Sequence, residues 1–350
     1  MSESSDAATA RIDTAALRTA LEEVLSRYFG APRAIEELRR CPARYRSSFA
    51  LEELEVKLDD GLTLHLLLKD VSLQGLSEAN TPGKPTFLHN PLREIETYRR
   101  ILVSHLPGAA LYYGAVADAE SGRYWLFLEK VQGVKLPEFG LDTWKRVAQW
   151  LAAMHTRFAQ QTNLRELAAV SHMIRYDGDL YRLWPPRAQA FLRQMEPIVP
   201  IQALQRFDRL VGGYDQVIER LLALPVTLIH GEFYGNNVLV HETADQLRVC
   251  PVDWETTALG PGLLDLAALI AGEWTEEEKR AMALVYHDNL VPNDGWAPDA
   301  EEFLFALDCC RLHIAAQWLG WSEQWPSASY GRHHWLGEAL LVGERVLRTA

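Results

Sequence analysis

The sequence predicts an α+β fold of two lobes, a small antiparallel sheet with one main helix followed by a larger, mostly helical lobe. Three observations carry this. Up to about residue 130 the apolar runs are strand-length pairs separated by turn residues. From Asp142 onward they recur at helical spacing over long stretches. The chain has 350 residues, 48% of them hydrophobic, which suits two lobes better than one small core. The expected division is a disordered start over 1–12, a smaller lobe over 13–130 and a larger one over 131–350.

Leu17, Leu21, Val24, Leu25 and Tyr28 recur at helical spacing behind Asp13, which reads as the cap of an opening helix. SFALEELEVKL and LTLHLLLK then flank Asp59-Asp60-Gly61, and aspartate followed by glycine between two apolar runs signals a hairpin. In the second run, period-two alternation puts Leu62, Leu64, Leu66 and Leu68 on one face and Thr63, His65, Leu67 and Lys69 on the other. SLQGLSEANTPGKP reads as loop. Residues 91–106 read as a helix with proline in its first turn, and LYYGAVAD and RYWLFLEKV as a second strand pair around 119–122.

Helices are expected in DTWKRVAQWLAAMHTRFA, FDRLVGGYDQVIERLLAL, PGLLDLAALIAGEW, TEEEKRAMALVYHDNL and EEFLFALDCCRLHIAAQWLGW. Embedded among them are two strand-like segments, LIHGEFYGNNVLV and LRVCPVDW, joined by a turn near 242–246.

Composition narrows the function. A net charge of −12 argues against nucleic acid as a partner, because phosphate backbones are neutralised by clustered Lys and Arg. No apolar run approaches membrane-spanning length and the start is polar, so neither membrane nor secretory signal is expected and the reading is cytoplasmic. Four irregularly spaced cysteines make neither a disulfide framework nor a four-thiolate zinc site. Nothing implies an obligate protein partner.

The chemistry concentrates in HGEFYGNN, where His230 is followed by Glu232 and, five residues on, Asn237. Phosphoryl-transfer enzymes use this spacing: a carboxylate accepts the proton of the attacking hydroxyl, and a neutral amide oxygen binds a hard cation beside the phosphates. One hairpin later, Asp253 in VDWE stands at a strand end where a second cation ligand belongs. His230 reads as an organiser that bonds backbone groups. In the smaller lobe, Lys69 points away from the leucine face with Leu67 beside it as a roof over a base, and Glu94 or Glu96 on the next helix is its candidate partner.

In this order the residues resemble the aminoglycoside phosphotransferase and choline kinase superfamily, small-molecule kinases of the protein-kinase-like fold. The resemblance runs from about Arg44 to the C-terminus and rests most on HGEFYGNNVLV and VDWETTALGPGLLDLA. It implies a bilobal protein-kinase-like fold, transfer of the γ-phosphate of ATP or GTP to a small-molecule hydroxyl, and Mg2+ on Asn237 and Asp253. It further implies Asp265 as a brace of the site, and TrpLeuAlaAlaMetHis at 150–155 as the helix beneath the catalytic loop. LFLEKV would be the hinge, with backbone groups of Glu129 and Val131 meeting the base, and Ser47 and Ser48 would cover the phosphates. This chain has glutamate at 232 where the superfamily usually has aspartate.

Two rivals are weighed. A zinc deaminase also uses histidine, any residue, glutamate, but it needs a downstream Pro-Cys-x-x-Cys, and here Cys250 precedes Pro251 with no second cysteine at that spacing. A catalytically weak nucleotide-binding protein that senses or scaffolds would keep Lys69, Asn237 and Asp253 and differ only in turnover. Among substrate determinants, Trp184, Trp318, Trp321, Trp325 and Trp335 read mainly as packing, with stacking on a sugar or a quaternary ammonium as the alternative. Asp308, His313 and Gln317 are candidates for a shared pocket face or an ordinary polar one.

Overall fold

The computed structural model describes residues 12–43, 49–76, 85–195, 198–243, 246–291, 296–321 and 329–348. The expected disorder at the start therefore falls outside them except at Ile12, which packs on the first helix and sheet.

Asp13 caps α1 (Thr14–Phe29), its carboxylate accepting the Ala16 amide at 2.8 Å. Leu17, Leu21, Val24 and Leu25 are buried, but Tyr28, grouped with them by spacing, is exposed and packs at a tilt against Tyr113. The sheet beneath α1 has the order β1-β2-β3-β5-β4, all antiparallel, built from β1 (Ile35–Pro42), β2 (Ala50–Leu58), β3 (Thr63–Asp70), β4 (Tyr112–Asp118) and β5 (Arg123–Glu129). Both expected hairpins form, with Gly61 and Gly122 in the left-handed conformation their turns require. The first strand was not foreseen. IEELRRCP is an edge strand exposed along most of its length, so it lacks the apolar alternation that would mark it.

Strand β3 is central, and its alternation separates two environments. Leu66 and Leu68 pack with Trp125 and Phe127 under α1. Leu67 and Lys69 face the opposite way, toward the second helix and the gap between lobes. That helix, α2 (Pro91–Thr97), starts with proline at its first turn, passes through a π-helical segment at Tyr98–Leu102 and ends in the one-turn α3 (Val103–His105).

The larger lobe begins with β6 (Val134–Lys135) and α4 (Leu141–Ala159). It continues through α5 (Leu164–Val170), β7 (Ile174–Arg175), α6 (Gly178–Gln194), α7 (Ile201–Gly212) and α8 (Tyr214–Leu222). The sequence read the last two as one helix; Gly212 and Gly213 divide them, because glycine gives up most conformational freedom in a helix and ends it readily. Helix α6 was hidden by Pro185 and Pro186, which lie within it.

Two small sheets then hold the central loop. The apolar run around His230 is two strands, β8 (Val226–Ile229) and β9 (Val238–Glu242), with the loop between them. β9 pairs with β10 (Leu247–Pro251) and β6, while β11 (Ala258–Pro261) joins β8 to β7. Four helices complete the lobe: α9 (Leu263–Leu269), α10 (Glu276–Asn289), α11 (Ala300–Trp321) and α12 (Ser329–Arg348). Among the described residues no helix is long and apolar enough to cross a membrane.

A buried charge network ties α10, α11 and α12 together. Arg311 reaches Glu338 at 2.6 Å, Glu276 at 2.7 Å and Asp308 at 3.0 Å, and Lys279 reaches Glu338 at 3.1 Å. Burial alone would raise the Glu276 carboxyl, but Arg311 and Lys279 pull it from its ordinary 4.5 down to about 2. The folded state thus binds this proton less readily than the unfolded chain. The contribution is complete above pH 4.5 and is lost as the pH falls toward 2. We expect Glu276→Gln to lower the urea midpoint at neutral pH and to flatten its decline over that acid window. An equally steep decline in the variant would remove Glu276 as the cause.

Candidate active site

The loop after β8 owes its shape to one glycine and one aspartate. Gly231 has φ +86°, and a Cβ there would lie 2.4 Å from the Thr256 carbonyl oxygen, so only glycine lets the loop and the β10 to β11 connection approach this closely. Asp265, fully buried on α9, accepts the backbone amides of His230 at 2.7 Å and Gly231 at 2.9 Å. His155 of α4 approaches the same carboxylate at 3.3 Å and holds Tyr286 with its other nitrogen at 2.8 Å. The α4 segment containing His155 therefore lies directly behind the loop, and its Trp150 stacks on Phe233.

His230 organises the next turn. Its Nε2 lies 3.0 Å from the Val252 carbonyl and its Nδ1 3.3 Å from the Glu232 amide, which together set the tautomer: Nε2 carries the proton and Nδ1 accepts. Burial lowers the pKa of this imidazole, in keeping with a neutral ring. Glu232 follows, half-buried, with Thr256 Oγ1 3.4 Å from its carboxylate. Asn237 donates its side-chain nitrogen to the Glu232 carbonyl at 3.0 Å, which leaves the amide oxygen as the atom available to a cation. The Asn237 carbonyl in turn accepts the Val252 amide at 2.9 Å, placing Asp253 beside it.

Asp253 has φ +68°, in the left-handed region that non-glycine residues seldom occupy. Its carboxylate pairs with Lys69, and Lys69 Nζ also lies 2.5 Å from Glu94. Glu96, the other candidate partner, pairs instead with Arg99 and Arg100 on its own helix. Burial opposes the charge of Lys69, but Asp253 and Glu94 outweigh it and raise its pKa. Burial pushes the Glu94 carboxyl upward against the pull of Lys69. One ammonium among these carboxylates leaves an electronegative pocket that a divalent cation would complete.

Leu67, Lys69, Glu94, Glu129, Val131, Asn237 and Asp253 line one cleft between the lobes. Glu129 also pairs bidentately with Arg248, both contacts 2.7 Å, fastening the end of β5 to β10. His230, Glu232 and Asp265 are not in its lining; His230 bonds the carbonyl of Val252, which is, and Asp265 bonds the loop backbone, whereas Ser47 and Ser48 lie outside the described residues. As a donor set, one amide and one carboxylate oxygen fit Mg2+, which keeps phosphate and water oxygens in its octahedron and needs no all-protein cage. Zinc does not fit. The four cysteines are free and sit on β1, β10 and α11, and no cluster of three or more His, Cys, Asp or Glu that could hold a metal occurs among the described residues.

Sequence reasoning missed a second cavity, of about 530 Å3, next to the loop. Phe139, Trp144, Tyr234, Trp274, Trp335 and Glu273 contribute to its wall. Of the tryptophans singled out earlier, Trp184 and Trp321 are buried and stack together, while Trp318 hydrogen-bonds Tyr234 and stacks on Trp335. Trp325 is outside the described residues. Of Asp308, His313 and Gln317, Asp308 pairs with Arg311 and Arg345, whereas His313 and Gln317 both meet Tyr176, Gln317 by a hydrogen bond and His313 by an edge-on ring contact.

A sheet lobe and a helical lobe meeting at a Lys-Glu pair, an asparagine loop and a strand-end aspartate define a bilobal protein-kinase-like fold. Residues 84–301 match the family model described as the phosphotransferase enzyme family, and the chain belongs to that family as an enzyme that transfers phosphoryl groups. Solved structures agree on the fold. A microcompartment-associated aminopropanol kinase superposes with a TM-score of 0.60 at 15% identity, covering 89% of this chain and 93% of its own. Plasmodium vivax ethanolamine kinase gives 0.58 at 12%, covering 90% and 84%. The GDP complex of wild-type aminoglycoside 2'-phosphotransferase-IIIa gives 0.54 at 14%, covering 95% and 99%. No curated protein sequence matches the chain significantly.

Gly231→Ala tests the loop geometry. The left-handed conformation alone should cost about 1–2 kcal/mol, and the contact with Thr256 should add to it. We expect a lowered urea midpoint together with faster amide exchange at His230 and Gly231; an unchanged midpoint would show that the loop does not need its glycine.

Proposed function

We propose that the protein transfers the γ-phosphate of ATP or GTP, as the Mg2+ complex, to a hydroxyl of a small amine-bearing molecule, whether aminoglycoside-, amino-sugar- or choline-like. The observation that carries this reading is the convergence of Lys69, Glu94, Asn237 and Asp253 on one interlobe cleft beside Glu232. The lobes over 13–130 and 131–350 would close on the nucleotide. Leu67 would cover the base, backbone groups of Glu129 and Val131 would meet its edge, and Ser47 and Ser48 would lie over the phosphates.

Lys69, oriented by Glu94, would take the α- and β-phosphates. Asn237 Oδ1 and the Asp253 carboxylate would hold Mg2+, whose bound charge offsets that developing on the phosphates. Glu232 would accept the proton of the attacking hydroxyl, while His230 and Asp265 keep its backbone in place. The aromatic cavity supports the amine-bearing acceptor: Tyr234, Trp274 and Trp335, rings of the kind that attract cations, line it together with Glu273, which would supply a counter-charge. Neighbours of the same fold act on aminopropanol and ethanolamine by name, and another is a GDP complex. The short passage from Asp253 to α9 leaves little room for a peptide platform, which favours a small-molecule acceptor.

Two measurements test the assignment. Asp253→Ala should abolish Mg2+-dependent nucleotide binding by calorimetry, and unchanged affinity would remove that residue from the site. Once a screen of aminoglycosides, amino sugars, choline and other amino alcohols with ATP and GTP identifies an acceptor, Glu232→Gln should lower turnover by a factor on the order of 10² to 10⁴ with nucleotide affinity nearly intact. Full turnover in that variant would refute the base assignment. Glu232→Asp should be impaired as well; a variant more active than the parent would mark the glutamate as a weakening substitution and favour a sensing role.

A further inference from the structure

Arg93 precedes Glu94 on α2 and is only 6% exposed. Its hydrogen-bond acceptors are backbone carbonyls from three separate segments. Nε donates to His172 at 2.7 Å, and one terminal nitrogen donates to both Leu88 and Glu255 at 2.8 Å. A guanidinium is costly to bury, so three oriented carbonyls around it amount to a built socket.

The location of those carbonyls gives the socket its meaning. Among the described residues His172 and Asp253 are the two non-glycine residues with left-handed backbone, at φ +54° and +68°. Conformations of this kind persist where the surroundings over-determine them. Arg93 holds the His172 carbonyl directly. It also holds the Glu255 carbonyl two residues past Asp253, while Glu94 Oε1 accepts the intervening Trp254 amide at 3.1 Å. Two adjacent side chains of α2, one donating and one accepting, thus clasp the turn that follows Asp253 from the opposite lobe.

We infer that Arg93 is a positioning residue of the transfer reaction, holding the left-handed turn that presents Asp253 and fixing α2 against the larger lobe. The inference rests on the reading of Asp253 as a metal ligand. It also goes beyond that reading, because it makes the Lys69, Glu94 and Asp253 assembly a permanent feature of the ligand-free enzyme and not one created by a swing of α2. Arg93 touches no reacting atom; it acts through the backbone of residues 254–255.

The test compares Arg93→Met, which keeps the apolar stem and removes every donor, with Arg93→Lys, which keeps charge but loses the fork. Arg99→Met, on the exposed face of the same helical segment, is the control. In ligand-free protein, amide exchange over 253–257 and 172–174 should quicken on the order of tenfold or more in the Met variant, as expected for losing buried charged hydrogen bonds. Exchange in β8 and α4 should stay at parental rates. Calorimetry should show a comparable loss of affinity for the Mg2+-nucleotide complex and a much smaller change for nucleotide without metal.

The Lys variant should fall between, and guanidinium added to Arg93→Ala should restore slow exchange. If the Met variant fails to fold, the Lys variant decides by the same readouts. Unchanged exchange over 253–257, or quickening spread evenly through the lobe, would overturn the inference and leave Arg93 a packing residue. Asp253→Asn run in parallel separates the two levels. If it leaves metal-dependent affinity intact, the metal-ligand reading fails and this inference with it. If it removes that affinity while Arg93→Met does not alter it, the inference alone is wrong.

Discussion

One buried ammonium holds the molecule's two halves in register. Lys69 comes from the central strand of the small sheet, Glu94 from α2 and Asp253 from the turn after β10, so their meeting fixes a point common to both lobes. Such a cluster is costly to bury unless every charge finds a partner. Here the cation is shared between two carboxylates, and the excess negative charge is tolerated because Glu94 also accepts the Trp254 amide. On the proposed reading the arrangement suits a site that works by adding a metal and a polyphosphate: negative charge would await the cation, and phosphate oxygens would compete for the ammonium.

The loop opposite is held by a different logic, that of satisfied backbone groups. Asp265 accepts two consecutive amides, His230 spans from the Glu232 amide to the Val252 carbonyl, and Asn237 closes back on the Glu232 carbonyl. Buried polar networks of this kind stabilise a single geometry only when every member is paired. Asp265 spends both oxygens and His230 both nitrogens on backbone groups of the loop and its neighbour Val252, whereas Asn237 spends its amide nitrogen and keeps its oxygen. What remains for chemistry is the Glu232 carboxylate, the Asn237 amide oxygen and the Asp253 carboxylate. Preorganisation therefore comes mainly from side chains that would not act, Asp265 and His230, and only Asn237 would serve both shape and chemistry.

Local signals made much of this legible. Asp59-Asp60-Gly61, the alternation in LTLHLLLK and the cap at Asp13 each carry a short-range physical signature, and each forms as its pattern requires except at Leu62, which precedes the strand and is exposed. The motif residues were legible because polar groups inside apolar strands demand a reason. Elements without such signatures were not: the polar edge strand β1, the two-to-four-residue strands of the third sheet, and α6 with its paired prolines. Glu94 against Glu96 was undecidable from spacing, since both fall within one helical turn. The choice follows from tertiary packing, with Glu94 turned inward to Lys69 and Glu96 neutralised by two arginines along its own helix. The aromatic cavity was invisible for the same reason, because Phe139, Trp144, Tyr234, Trp274 and Trp335 are scattered over the larger lobe.

The glutamate at 232 becomes intelligible within this frame. Its backbone is pinned at both ends, by the His230 ring at its amide and by Asn237 at its carbonyl, so the loop has little freedom to retreat and absorb an extra methylene. The carboxylate must then reach further from the loop than an aspartate would, and Thr256 meets it there at 3.4 Å. Thr256 Oγ1 also lies 3.2 Å from the His230 carbonyl, so the hydroxyl stands between the loop backbone and the acid. A single proton cannot serve both acceptors fully, so the threonine limits where the carboxylate sits without binding it alone. On the proposed reading the additional length displaces the reactive oxygen, and the compensating adjustment would come from the acceptor cavity, whose wall combines the loop's own Tyr234, Gly235 and Asn236 with Phe139, Trp144, the turn after α9 and Trp335 of α12.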